Sequence, residues 1–114
     1  MNTDLIRELC LSLPHVTESV QWRADLVFKV GGKMFDEVGL ETVPQQFSLK
    51  CTPEEFAELI ELDGIAPAHY VARYHWVTIT QSALSAAETR RLIRQSYDLV
   101  WTKLPKKTQK SLAS

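Results

Sequence analysis

A pair of glycines, Gly31-Gly32, divides two runs rich in β-branched and aromatic residues, Leu26 to Val30 and Lys33 to Leu40. A two-residue loop needs positive φ at its centre, which glycine adopts without steric cost. The stretch therefore reads as a β-hairpin and commits the chain to an antiparallel sheet. With the turn centred on the glycines, Phe28 is expected opposite Phe35 on one face. Lys29 is then opposite Met34 on the other, and Lys33 stands beside the turn. A third strand is expected over Gln46 to Cys51, where Phe47, Leu49 and Cys51 alternate with Ser48 and Lys50. Pro44 falls in the preceding turn, where it removes no ladder bond. A fourth strand, Tyr74 to Thr80, places Val77 and Ile79 on one face and Trp76, Thr78 and Thr80 on the other.

Three helices surround these strands. Leu5, Ile6, Leu9, Cys10 and Leu13 recur at three- and four-residue steps, which predicts a helix from Asp4 to Leu13, stopped by Pro14. Thr52-Pro53-Glu54-Glu55 supplies a cap, a first-turn proline and acids for a second helix. Its buried face is Phe56, Leu59, Ile60 and Leu62, and Gly64 ends it. Ser85 and Glu88 form a capping box for the third, with Leu92, Ile93, Tyr97, Val100 and Leu104 as its apolar stripe. Arg91, Arg94 and Asp98 occupy the opposite face, Pro105 closes the helix, and Lys106, Lys107 and Lys110 are expected in a frayed tail. The polar stretch from His15 to Asp25 is expected to be irregular, with Trp22 folded back onto the core. Helix, three strands, helix, strand, helix is an α+β arrangement: an antiparallel β-sheet packed against helices at both ends of the chain. At 114 residues it is read as one domain, 1–114.

Composition removes several classes. A chain that is 45% hydrophobic and 24% charged is expected to be globular. No apolar run approaches the ~20 residues that span a bilayer, and Met1-Asn2-Thr3-Asp4 lacks the marks of a secretory signal. The expected location is cytoplasmic, with no membrane partner. Cys10 and Cys51 have no CxxC spacing and are expected buried and unpaired.

The motifs of common catalysts are missing: there is no GxGxxG, P-loop, GxSxG, HExxH or zinc-spaced Cys/His set. No catalytic residue, cofactor or metal site is assigned, and the chain is read as a non-enzyme. Glu54, Glu55, Glu58 and Glu61 read as a solvated helix face, because loop oxygens for a cation do not accompany them. His69 and His75 lie close in sequence without a local carboxylate or serine, which suits histidines at a strand edge. Trp76 is open to two readings, a buried aromatic or a stacking platform.

Charge is the informative property. Residues 1–65 hold 5 Lys/Arg against 12 Asp/Glu, a balance of −7, while residues 66–114 hold 8 against 2, a balance of +6. Lys29, Lys33, Lys50 and Arg73 flank the aromatics of the strands, and a sheet that gathers them makes a surface for a phosphate backbone.

Leu13-Pro14, the hairpin Phe28-Lys29-Val30-Gly31-Gly32-Lys33-Met34-Phe35, Ser48-Leu49-Lys50, His69-Tyr70, His75-Trp76-Val77 and Ser96-Tyr97 occur in an order that resembles the MmcQ/YjbR family. The likeness runs from about residue 4 to residue 104, with one departure at Ala68, where the family often has glycine. It implies a fold similar to CyaY, the bacterial frataxin, and a double-wing mode of DNA binding in which β-hairpins approach the duplex. It implies no catalytic residues. An acidic iron-binding ridge of the frataxin kind is not carried over, because the first helix offers only Asp4 and Glu8.

The expectation is thus weak, largely sequence-independent binding of double-stranded DNA through a sheet surface of Lys29, Lys33, Lys50, Arg73, His75 and Trp76. Arg90, Arg91, Arg94 and the tail lysines Lys106, Lys107 and Lys110 are candidate phosphate contacts beside it. The alternative is a module that binds a protein or small ligand in a His75/Trp76 pocket, and no protein partner is named.

Overall fold

A computed structural model of the chain describes residues 2–22, 24–69, 71 and 74–114. Its elements are α1 (Thr3–Leu11), β1 (Val16–Gln21), β2 (Asp25–Val30), β3 (Lys33–Gly39), β4 (Gln46–Lys50), α2 (Pro53–Leu59), β5 (Ile65–Pro67), β6 (Trp76–Thr80), α3 (Ala86–Lys103) and α4 (Lys106–Ala113). The strands form one antiparallel sheet in the order β1-β2-β3-β4-β6-β5. The expected α+β class holds, with helices at both ends of the chain.

The helix starts follow from their caps. Asn2 Oδ1 accepts from Leu5 N–H, Thr52 Oγ1 from Glu55 N–H and Ser85 Oγ from Glu88 N–H, each answering a first-turn donor that the helix itself leaves unpaired. All five stripe residues of α3 are buried as expected. They pack with Ile6 and Cys10 of α1 and Leu59 of α2 against Phe28, Val30, Phe35, Val38, Leu49, Val77 and Ile79 of the sheet. All the helical core therefore lies on one face of the sheet. Leu62, expected on the buried face of α2, is exposed beyond the end of that helix.

Three elements depart from the sequence expectation. Residues 16–21 are a strand, not an irregular stretch, paired along its whole length with β2 from Val16↔Val30 to Gln21↔Asp25. Its residues are largely exposed at the sheet edge, so the apolar alternation that signals a strand is absent. Trp22 does not fold back onto the core; it is 64% exposed, with φ of 48°. The tail is the short helix α4, not a frayed end. Gln109 Nε2 donates to the carbonyls of Trp101 and Leu104, so a polar side chain ties α4 to the end of α3. The third addition, β5, is only three residues long.

The hairpin also departs from a regular ladder. Lys29 is opposite Met34 as expected, but Phe28 is opposite Asp36, because a bulge adds a residue to β3 at Phe35. Strict alternation cannot bury both Phe35 and Val38, which are three positions apart. The bulge buries both, at roughly 1.5–3 kcal/mol for each large side chain. Asp36 is carried into the core with them and is fully buried. Neither of its carboxyl oxygens has a hydrogen-bond partner of ordinary geometry among the described residues. Burial pushes the Asp36 carboxyl well above the usual carboxylate range, and interaction with the Cys10 thiol offsets this only in part. Burial first, and then the Asp36 charge, raise the Cys10 thiol in turn. Ser96 of α3 completes this region: its Oγ donates to the Phe35 carbonyl at 2.6 Å and accepts from Lys50 N–H at 2.9 Å.

Both cysteines are buried and free, as their apolar surroundings predict. Among the described residues no helix is long and apolar enough to cross a membrane.

Candidate functional site

Among the described residues no helix packs on the second face of the sheet, which carries the alternate residues of each strand and is partly covered, with Val27, Ser48 and Trp76 buried. Across its middle run Val27, Glu37, Ser48 and Thr78, joined by the pairings Val27↔Glu37, Glu37↔Ser48 and Ser48↔Thr78. Nearer the glycine turn lie Lys29, Met34, Lys50 and Trp76, joined by Lys29↔Met34 and Lys50↔Trp76. Trp76 opens β6 on this face, in alternation with the core residue Val77, and His75 before it adopts φ of 65°. The His75 carbonyl accepts from both the N–H and the thiol of Cys51, which pins the chain at the start of β6.

Two cavities open here, with Met34 and Trp76 as their common wall. The one at the glycine-turn end measures about 430 Å³. Lys33, Lys50 and Lys103 line it, with Tyr74 and Trp76 as its aromatic wall and Leu104 of the α3–α4 junction closing one side. Lys50 Nζ donates to the Tyr74 carbonyl at 2.8 Å, which fixes its ammonium at the cavity. Burial, and then repulsion from Lys103, lower the Lys50 pKa. Among the described residues no carboxylate forms an ion pair with any of these lysines. The second cavity, about 490 Å³, is lined instead by Asp25, Glu37, His69 and the tryptophans Trp22 and Trp76.

The expected site residues divide between the two faces. Lys29, Lys33, Lys50 and Trp76 come together around the lysine-lined end of the open face. Trp76 is only 6% exposed, so it is a wall of both cavities and not a free platform. His75 is half-buried, and its ring meets Phe56 of α2 edge-on at 5.7 Å, whereas His69 lines the acidic cavity. The two histidines therefore do not form a pair. Arg73 lies outside the described residues.

The arginines of α3 belong to the helix layer. Arg91 grips both carboxyl oxygens of Glu55 at 2.9 and 3.1 Å and also pairs with Glu88. These hydrogen bonds hold the guanidinium in its charged form and lower the Glu55 carboxyl below its usual value. Arg94 pairs with Asp98 one turn along, and Arg90 borders a hollow with Leu9 and Leu13 near α1. The acidic first part of the chain thus supplies one of these counter-ions, Glu55, and the basic second part supplies Glu88 and Asp98 itself. Lys103, absent from the sequence-derived set, joins the lysines because α3 extends to the end of the sheet. Its position in the last turn of an amphipathic helix gave no sign of that.

The turn itself is not a free tip. Gly31 and Gly32 have the expected positive φ, 58° and 79°. A Cβ at Gly31 would lie 2.6 Å from Leu104 Cδ1 and 3.3 Å from Thr108 Cγ2, so the hairpin rests directly on the α3–α4 corner.

The architecture is an antiparallel sheet backed by helices on one face, with charged and aromatic side chains lining two cavities at the other. The chain belongs to the YjbR family, whose model matches residues 11–99. It is similar to the crystal structure of the Deinococcus radiodurans protein DR2400, described by the family-model domain DUF419. That likeness has 34% identity and a TM-score of 0.88, and covers 98% of this chain and 88% of the other. A Pseudomonas syringae protein solved by structural genomics shares the fold at 23% identity and a TM-score of 0.72, over 87% of this chain and 98% of its own. No curated protein matches the chain.

Proposed function

We propose that this chain is a binding protein, not an enzyme, and that it holds the phosphate backbone of double-stranded DNA at the lysine-lined end of its open sheet face. One observation carries the reading: Lys33, Lys50 and Lys103 line one groove without a carboxylate ion pair among the described residues. Lysine ammoniums held near one another repel, and a phosphate relieves that repulsion while releasing counterions from the DNA. Lys29, on the same face, extends the positive edge beyond Met34. Asp25 and Glu37 repel phosphates from the other half of the face, so the footprint is short. With the glycine turn seated on the α3–α4 corner, the contact is made by the side of the hairpin and the groove beside it. Few phosphate contacts and no assigned base readout give weak binding with little sequence preference.

Fluorescence anisotropy against labelled duplexes at two salt concentrations tests this. Three phosphate contacts predict a slope of log K against log salt of about −3. Exchanging Lys33 and Lys50 for glutamate should abolish binding. Absence of binding at low salt, or a salt-independent affinity, overturns the reading.

A second reading, a small anionic ligand in the same groove, is favoured by its concave shape. A mononucleotide that competes with the duplex at equal affinity per site would establish it.

A further inference from the structure

The cavity at the other end of the open face is a different chemical environment from the lysine groove. Trp22, Met34 and Trp76 line it together with the carboxylates of Asp25 and Glu37. Neither carboxylate makes a hydrogen bond or an ion pair among the described residues. Both are half-buried. Burial raises the Asp25 carboxyl, and burial followed by the nearby Asp25 charge raises that of Glu37. Two half-buried carboxylates that have no counter-ion among the described residues are costly for the fold, and a cation between them offsets that cost.

The aromatic walls narrow the kind of cation. Calcium and magnesium take six or more oxygen ligands and zinc four, and among the described residues no group of three or more His, Cys, Asp or Glu side chains is placed to hold a metal ion. Indole faces favour organic cations, through the attraction of the ring quadrupole for an ammonium. Trp22 points the same way: it is 64% exposed with φ of 48°, so neither its side chain nor its backbone is placed for the benefit of the core. The volume, about 490 Å³, exceeds what a bare ammonium fills and leaves room for an apolar body against the indoles and Met34.

From this geometry we infer that the cavity between Trp22 and Trp76 is a binding site for a small organic amine, with its ammonium between Asp25 and Glu37 and its apolar part against the indoles. The site shares the Met34 and Trp76 walls with the lysine groove but takes a ligand of opposite charge, and its test involves no DNA.

Phenethylamine, with phenethyl alcohol as its neutral counterpart and phenylpropionate as its anionic one, makes the test by calorimetry at neutral pH. Shifts of the indole N–H signals of Trp22 and Trp76 locate the probe. The amine should bind at least about tenfold more tightly than the alcohol, as charge-assisted hydrogen bonds and cation–π attraction require, and the anion should not bind. The double variant Asp25→Asn, Glu37→Gln should lose the preference for the amine. Trp22→Ala, at an exposed position where folding is not at stake, should weaken amine binding roughly tenfold. Equal binding of amine and alcohol overturns the inference. So does failure of the amine to bind at roughly 10 mM, well above the millimolar range of weak ligands, or survival of the preference in the double variant.

Discussion

The two faces of the sheet treat charge in opposite ways. On the helix face, the basic side chains Arg91 and Arg94 are paired with Glu55, Glu88 and Asp98. Where the other face borders the end of α3, Lys33, Lys50 and Lys103 line one cavity, and across that face Asp25 and Glu37 line a second, with no ion pair to any of them among the described residues. A count of basic residues along the chain gives both sets equal weight. Their surroundings do not: the arginines meet their counter-ions within the fold, whereas unpaired charges of one sign are left for something else to meet.

The contrast is broken most severely at the joint between the faces, the glycine turn. Gly31→Val introduces a β-branched residue at φ of 58° and forces its Cβ against Leu104, so a loss of about 3 kcal/mol is expected in chemical denaturation. At Gly32, where a Cβ meets nothing within 4 Å, alanine should cost only the backbone strain, about 1 kcal/mol. Equal losses at the two positions would show that the turn is not seated on the α3–α4 corner.

Asp36 sharpens the helix side of the comparison. Asp36→Leu removes an unsatisfied buried group and should raise stability by about 2 kcal/mol near neutral pH. The pH dependence has a definite sign. Burial raises the folded-state value of Asp36, so above the unfolded value of about 3.9 the folded protein binds the proton more tightly. The contribution of Asp36 to stability therefore falls as pH rises from there and levels off once the residue ionises in the folded state. Asp36→Asn should flatten this part of a stability profile measured by urea titration, and an unchanged slope would assign it to another group.

Lys103 tests the open side. Lys103→Glu should lower DNA affinity roughly tenfold, the effect of reversing one phosphate contact, whereas the Arg91→Ala, Arg94→Ala pair should change it less than about twofold. The reverse ranking would move the interface to the helix layer. The smallest effect is on stability: Arg91→Ala should cost under about 1 kcal/mol in a thermal melt, because the Arg91 ion pairs are half-exposed and screened by solvent and salt.

Legibility in the sequence followed the same division. The helix face was readable because burial imposes period: the stripe of α3, the caps Thr52 and Ser85 and the Phe47/Leu49 alternation all appear where expected. β1 was missed because an edge strand exposed on most of its length has no buried face to impose alternation. Asp36 was missed because a bulge changes which residues face inward without any mark in composition, although the three-residue spacing of Phe35 and Val38 was a usable clue. The open-face groups came from four separate strands and the end of α3. Lys33 and Lys50 could be listed from the strand patterns, but their meeting with Lys103, and the separation of His69 from His75, depend on packing over long chain distances.

Ser96 gives the groove an origin in the way the sheet comes apart. β3 and β4 are paired from Asp36↔Leu49 to Gly39↔Gln46, and beyond that point the Phe35 carbonyl and the Lys50 N–H both turn to the serine hydroxyl. A side chain from a helix thus takes the place of one rung of the ladder, as a keystone holds two stones that no longer touch. The sheet forks there, with Lys33 on one prong and Lys50 on the other. Alanine at this position would leave both prongs without their shared support, and the spacing of the two ammoniums would then be set by solvent and not by the fold.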